Sequence, residues 1–151
     1  MIQWQWQTLD DMTSKQLHAV LQLRQAVFVV EQNCAYPDID DLDLTAFHLS
    51  VWQPETAIPA VLKACLRILV DCPSSGIVSI GRVVTHSRYR RQGLGSQLMN
   101  QAIHRIELHW PDHRLQLSAQ QHLELFYQSF GFRCASDMYL EDGIPHIKMI
   151  R

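Results

Sequence analysis

The sequence predicts an α/β (α+β) fold, with a mixed, mostly antiparallel twisted sheet flanked by helices on both faces. Segments with the two-residue period of strands are interspersed with segments that have the period of amphipathic helices. The chain has 151 residues, of which 47% are hydrophobic, and this matches one ordinary globular domain. We therefore expect a single domain over residues 1–151, built around one core.

The N-terminal third predicts one strand, one helix and a loop. Residues 2–8 alternate Ile and Trp with Gln, which is typical of a half-buried strand. Thr13 and Gln16 have the spacing of a capping box, and apolar residues then recur at helical spacing, so we predict a helix over 14–29. Residues 31–45 favour a loop, since they contain Pro37 and four aspartates, Asp38, Asp40, Asp41 and Asp43.

The middle of the chain predicts a three-stranded antiparallel meander. Apolar runs at 47–52, 61–70 and 77–85 read as consecutive strands. The first two are joined near 54–59, and the turn residues of 73–76 separate the second from the third.

The C-terminal half adds two helices and three strands. A helix starts at Leu94 and ends before Pro111, with its apolar face formed by Leu94, Leu98, Met99, Ala102, Ile103 and Ile106. A short strand follows at 115–119, and a second helix that carries Phe126 and Tyr127 stops at Gly131. Two closing strands are predicted at 132–138 and 146–150, around a turn at 141–145.

Composition excludes several functional classes. The formal net charge of −2 gives no global attraction for nucleic acid, and no run of residues has the length and apolarity of a membrane span. The start of the chain lacks the pattern of a signal peptide, so we expect a cytoplasmic protein with reduced cysteines. The histidines and cysteines lack metal-ligand spacing, and we expect no metal.

A glycine-containing loop between a strand and a helix predicts an anion site. The strand 77–85 leads through this loop into the helix that starts at Leu94, so backbone amides and the positive end of the helix dipole converge there. Glycines permit close approach of a phosphate, and arginines can add charged hydrogen bonds. The loop residues are Arg90, Arg91, Gln92, Gly93, Leu94 and Gly95.

This loop, in this setting, resembles the cofactor motif Q/R-x-x-G-x-G/A of the GCN5-related N-acetyltransferase (GNAT) superfamily. A second segment, residues 125–132, is similar to the family's F-Y-x-x-x-G-F motif and follows in the expected order. Residues 23–34 and 141–147 further resemble the ElaA-like branch, so the similarity covers nearly the whole chain.

The resemblance implies a GNAT-type domain whose fourth and fifth strands start parallel and then splay apart. Acetyl-CoA would bind in that gap as co-substrate. Its pantetheine amides would meet the backbone of Val83, Val84 and Thr85, and its pyrophosphate would meet the amides from Arg91 to Ser96.

The resemblance also implies direct attack of a primary amine on the thioester. Tyr127 matches the position from which many family members protonate the departing thiolate. A general base must lie within hydrogen-bond reach of the amine's protons. The sequence leaves Glu31, Glu141, Asp142 and His146 as candidates, of which we select Glu31 and His146.

The acceptor is not fixed by the sequence. The aspartates of residues 38–43 could steer a cationic amine such as a polyamine or a basic peptide end, or could form a solvated loop. An alternative function is a non-catalytic acetyl-CoA-binding sensory or interaction module. The resemblance allows a homodimer, although no exposed apolar stripe in the sequence requires one.

Overall fold

The computed structural model describes residues 2–54, 60–72 and 74–151. Part of the predicted connection at 54–59 and of the predicted turn at 73–76, namely 55–59 and 73, lies outside the described residues. The described strands are β1 (Gln3–Gln7), β2 (Phe47–Trp52), β3 (Leu62–Val70), β4 (Ile77–Thr85), β5 (Arg114–Gln120), β6 (Arg133–Cys134), β7 (Tyr139–Glu141) and β8 (Ile144–Ile150). The α-helices are α1 (Ser14–Arg24), α2 (Leu94–His109) and α3 (Glu124–Gln128).

These strands form one mixed sheet in the order β1-β2-β3-β4-β5-β8-β6, with β7 also paired to β8. Every neighbouring pair is antiparallel except β4 and β5, which are parallel. The predicted fold class is confirmed, as is the meander of β2, β3 and β4.

The parallel pair β4–β5 is short. It is in register only from Ile77–Arg114 to Ser79–Gln116, and beyond that point the two strands separate. On its other side, β4 contains a bulge opposite β3, where Arg82 takes a positive φ of 53°. Bulges increase local twist and redirect side chains. The predicted splayed pair is thus confirmed, and it leaves a gap in the middle of the sheet.

Helices cover both faces of the sheet. The apolar face of α2 packs into the larger core with α3 and the inward side chains of β2 to β5 and β8. Three residues from the other side, Val20, Leu23 and Val27, pack with Trp52, Leu62, Cys65 and Val84 in a second cluster. All six predicted apolar positions of α2 are buried. No helix in the described parts of the chain is long and apolar enough to cross a membrane.

The first helix changes its hydrogen-bonding pattern before it ends. The predicted capping box is present, since the Thr13 hydroxyl accepts from the Gln16 N–H at 3.2 Å and the Gln16 carboxamide accepts from the Thr13 N–H at 2.8 Å. After α1 the chain continues as a π-helical segment over Gln25–Glu31. Such segments are rare and often lie at functional sites.

The end of the chain departs from the prediction. The strand expected at 132–138 is wrong, because only Arg133–Cys134 pair there and a further strand forms at Tyr139–Glu141. The predicted turn is also too long. Asp142 and Gly143 alone connect β7 to β8, with φ of 50° and 78°, as a two-residue hairpin turn requires. The predicted loop 31–45 contains a short 3₁₀ turn at Asp41–Leu44.

Candidate active site

A cavity of about 1280 Å³ opens where β4 and β5 separate. Its walls come from these two strands, the loop before α2, α3, the π-helical segment and the β7–β8 hairpin. Of the predicted site residues, the cavity is lined by Glu31, Val83, Val84, Thr85, Arg90, Arg91, Gly93, Leu94, Gly95, Ser96, Tyr127 and His146. Gln92 is the exception, because its side chain turns back to donate to the Arg88 carbonyl at 3.1 Å.

The predicted phosphate loop has the backbone shape of an anion site. Arg91 and Gly93 both take positive φ, of 60° and 75°, directly before α2 begins at Leu94. Alternation of left-handed and right-handed residues turns successive N–H groups to one side, and the helix dipole adds positive charge there. The loop can therefore hold an anion with its main chain.

The two glycines of this loop serve different purposes. A Cβ at Gly93 would meet no atom within 4 Å, so the positive φ is what requires glycine there. At Gly95, inside the first turn of α2, a Cβ would make ordinary contacts of 3.7 Å with Phe126 and 3.8 Å with the Thr85 hydroxyl. Protein packing does not require glycine at Gly95, and the space beside it belongs to the cavity.

The gap exposes backbone groups of β4. The His86 N–H donates to the Lys63 carbonyl at 2.8 Å, which marks a hydrogen-bonded pair of the β3–β4 ladder. Because adjacent residues of a strand point their amides to opposite sides, Val84 faces β3 whereas Val83 and Thr85 face the gap. Main-chain contacts to an extended ligand are thus available from Val83 and Thr85.

Glu31 and Arg90 form an ion pair, which the sequence did not predict. The Arg90 guanidinium donates to both Glu31 carboxylate oxygens, at 2.6 and 2.9 Å, and its Nε donates to the Thr85 carbonyl at 3.1 Å. The hydrogen bond from Arg90 lowers the pKa of Glu31. This carboxylate is thereby a weaker base than a free one, and Arg90 connects the π-helical segment to the end of β4.

Tyr127 is buried in the wall of the cavity. The side chain is only 7% exposed, and its ring packs edge-on against Phe126 and Phe132. Within the described residues its hydroxyl has no hydrogen-bond partner. Burial raises the pKa of Tyr127 to about 12, so the phenol keeps its proton at neutral pH.

His146 and Glu141 are neighbours on the β7–β8 hairpin. The His146 Nδ1 lies 2.7 Å from the Ile144 carbonyl and must donate to it, so Nε2 is the nitrogen that can accept a proton. This Nε2 lies 3.3 Å from the Glu141 Oε2. His146 is buried and stacks on Tyr139, whereas Glu141 is exposed to the cavity.

Two residues of this group, Ser118 and Tyr139, were missed by the sequence reasoning. Their hydroxyls are hydrogen-bonded to each other, and Ser118 also donates to Glu141 Oε2 at 3.3 Å. The sequence of β5 contains a pattern that could have indicated Ser118, because Gln116, Ser118 and Gln120 alternate with buried residues. That polar face looks into the cavity because α2 and α3 cover only the other face.

The aspartates of residues 38–43 do not form a charged surface. Their ion pairs contradict the hypothesis that they steer a cation, and the solvated-loop alternative holds only for Asp41. Asp38 and Asp43 are 5% exposed and receive the Arg24 guanidinium at 2.8 Å each. The remaining pairs join Asp40 and Asp43 to Arg67, and Asp38 and Asp40 to Arg82. Three guanidinium groups thus neutralise three carboxylates, and Asp41 alone of the four stays exposed without an ion pair among the described residues.

The fold and the cavity define the class of protein. The family model described as the acetyltransferase (GNAT) domain matches residues 69–151, more than half of the chain. The chain belongs to this family, and its fold is that of the acyl-CoA N-acyltransferases.

Its similarity to individual proteins places it in the ElaA-like branch. Protein ElaA of Escherichia coli (strain K12) is 46% identical over 153 residues, which cover 100% of this chain and 97% of that protein. The crystal structure of Escherichia coli ElaA has a TM-score of 0.91 at 45% identity, covering 100% of this chain and 99% of that one. An acyl-CoA N-acyltransferase from Pseudomonas aeruginosa gives the same TM-score, identity and coverage.

Proposed function

We propose that this protein is an acetyl-CoA-dependent N-acetyltransferase that acetylates a primary amine by direct attack, without a covalent enzyme intermediate. One observation carries the proposal. The anion-binding loop before α2 and the buried Tyr127 hydroxyl open on the same cavity, in the gap between β4 and β5.

The residues present fit acetyl-CoA. The main chain from Arg91 to Ser96 would hold its pyrophosphate, with Arg91 free of ion pairs among the described residues. Val83 and Thr85 would hydrogen-bond the pantetheine arm as an added strand does. The open space beside Gly95 leaves room for the diphosphate to approach the helix. When bound, the co-substrate supplies an activated acetyl thioester.

Tyr127 would donate the proton that the departing sulfur needs. Burial keeps the phenol protonated at neutral pH, so it can hydrogen-bond the sulfur as the C–S bond breaks and pass it the proton, after which the phenolate regains a proton from solvent. Its hydroxyl has no competing partner in the described residues, so the proton is available to a ligand.

His146 is the base that the geometry favours over Glu31. Its Nε2 can accept a proton, while the Nδ1 bond to the Ile144 carbonyl fixes the ring. Glu31 is already engaged by both terminal nitrogens of Arg90. We therefore assign amine deprotonation to His146 and a positioning role to Glu31.

The test is transfer of labelled acetyl from acetyl-CoA to a panel of monoamines, polyamines, amino acids, aminoglycosides and peptides. Tyr127→Phe should lower kcat about 100-fold or more and leave the cofactor Kd unchanged, because it removes only the proton donor. His146→Gln should lower kcat similarly. Gly95→Trp should fill the space beside the loop and abolish cofactor binding, whereas Asn100→Trp, on the exposed face of α2, should not.

The outcomes separate the enzyme from a binding module. Transfer to an amine that is impaired by Tyr127→Phe supports the proposal. Tight cofactor binding with no transfer to any amine would contradict it and would favour a sensory or interaction role for the same cavity.

A further inference from the structure

The cavity contains one acidic side chain that is organised by its neighbours and yet has no guanidinium partner. We propose that Glu141 anchors the ammonium group of the acceptor, and that the acceptor is a monoamine with a single cationic group on an apolar body. This inference rests on the proposed function and names the substrate class of the same site.

Other carboxylates of the cavity are already engaged in ion pairs with arginines. Four carboxylates line the cavity, those of Glu31, Asp40, Glu141 and Asp142. Arg90 holds Glu31, and Asp40 receives both Arg67 and Arg82. Of these four, only Glu141 and its neighbour Asp142 have no arginine partner among the described residues. Negative charge available to a ligand is therefore confined to one place, the tip of the β7–β8 hairpin.

The hydrogen bonds around Glu141 orient one of its oxygens toward a ligand. An ionised carboxylate only accepts, so Ser118 must donate to Oε2, and the Tyr139 hydroxyl must in turn donate to Ser118. The same Oε2 is the atom next to His146 Nε2. Oε1 has no protein partner among the described residues, and it is the oxygen left for an ammonium group.

Two buried polar groups face the same cavity. His146, 8% exposed, would take the proton from an amine held at Glu141, and the partnerless hydroxyl of Tyr127 would serve the leaving group. An anchor, a base and an acid thus line one space, as a reaction between amine and thioester requires.

The charge pattern argues against a polycation. Lys148 lies on the same face of the sheet, directly across from Ser118, and lines the cavity. A second ammonium group would meet this lysine or the paired arginines, whereas an apolar body would meet Tyr36, Leu42 and Leu69 in the cavity wall. The cavity therefore suits an acceptor that has one ammonium group attached to an aromatic or aliphatic body.

The experiment compares the steady-state kinetics of 2-phenylethylamine and spermidine as acceptors. The wild-type protein should prefer 2-phenylethylamine in kcat/KM. Glu141→Gln should raise the KM for it about 10- to 100-fold, the loss of one charge-assisted hydrogen bond, with the Kd for acetyl-CoA unchanged. Glu124→Gln, at a half-buried carboxylate on α3 outside the cavity, is the matched control and should change neither constant.

Variants of the two hydroxyl residues test the positioning part. Tyr139→Phe keeps the ring against His146 and should raise the KM only about 3- to 10-fold, as should Ser118→Ala, whereas Ser118→Thr should restore it. A purely structural role would instead change the cofactor Kd and the thermal midpoint in parallel.

The failures are distinguishable. Transfer with an unchanged acceptor KM in Glu141→Gln, or a preference for spermidine or an aminoglycoside, overturns this inference and leaves the proposed function standing. Absence of transfer by the wild-type protein to every amine overturns the proposed function and this inference with it.

Discussion

Two groups of acidic side chains, one that reaches the cavity wall through Asp40 and one through Glu141, differ in how they are paired. On the side of α1, Asp38, Asp40 and Asp43 each face one or more arginines, and two of the three are buried. On the side of the β7–β8 hairpin, Glu141 is held by a serine and lies beside a histidine. The paired group holds the wall of the cavity in place. Glu141 has no guanidinium partner among the described residues and is therefore available to a ligand.

The paired group ties four parts of the chain together. Arg24 comes from α1, Arg67 from β3 and Arg82 from the bulge of β4, while the aspartates come from the loop between the π-helical segment and β2. Burial alone would raise the pKa of Asp43, but Arg24 and Arg67 lower it below its usual range. The cluster therefore remains ionised and holds the loop against the sheet.

The largest effect should follow from breaking the paired group at its centre. Arg24→Met leaves Asp38 and Asp43 buried with less compensating charge, and should lower the free energy of unfolding by about 3–5 kcal/mol. Urea denaturation followed by intrinsic fluorescence measures it.

Arg88→Met is the matched control, because Arg88 is exposed and its side chain has no ion pair in the described residues. It should change the free energy of unfolding by less than about 0.5 kcal/mol. Equal stability of the two variants would contradict a stabilising role for the cluster.

A smaller, pH-dependent effect should come from His48, which lies under the cluster with its Nε2 3.3 Å from the Asp43 carbonyl. Burial lowers the pKa of His48, so the unfolded chain binds a proton more readily than the folded one. The stability from neutral His48 is present above about pH 6.5 and is lost as the pH falls toward the folded-state pKa. The slope from one group cannot exceed about 1.4 kcal/mol per pH unit.

Urea titrations at several pH values compare His48→Gln with the wild-type protein. The difference in stability between the two should shrink or reverse as the pH falls from 7.5 to 5.5. The control is His104→Gln on the exposed face of α2, which should follow the wild type at every pH. A difference that stays constant for His48→Gln would refute the titration.

The smallest effect should come from Glu31, which lines the cavity as Glu141 does but is paired. Its bond to Arg90 is solvent-exposed, so Glu31→Gln should cost less than about 1 kcal/mol in stability and lower kcat less than about 5-fold. The measurement is the steady-state kcat of Glu31→Gln, compared with that of His146→Gln. A loss of kcat in Glu31→Gln as large as in His146→Gln would restore Glu31 as the base.

Much of the framework could be predicted from local pattern. The bounds of β2 and β4, the start of α2 and the glycine loop all agree with prediction, because strand period, helix period and glycine conformation are properties of neighbouring residues. The closing strand predicted at 132–138 was misplaced, whereas the one predicted at 146–150 lies within β8 and only begins two residues too late. The Asp142–Gly143 pair is a strong signal for a two-residue hairpin turn, and the prediction instead extended the turn over 141–145.

The site divides in the same way. Local sequence determined where an anion can bind and that Tyr127 lies on a helix near it. Tertiary structure alone decided that Ser118 of β5 meets Tyr139, Glu141 and His146 of the β7–β8 hairpin in one cavity. It also decided that Arg24, Arg67 and Arg82 neutralise Asp38, Asp40 and Asp43. The residue type gives a carboxylate its charge. Whether that charge is available to a ligand depends on arginines that the fold brings from 14 to 44 residues away.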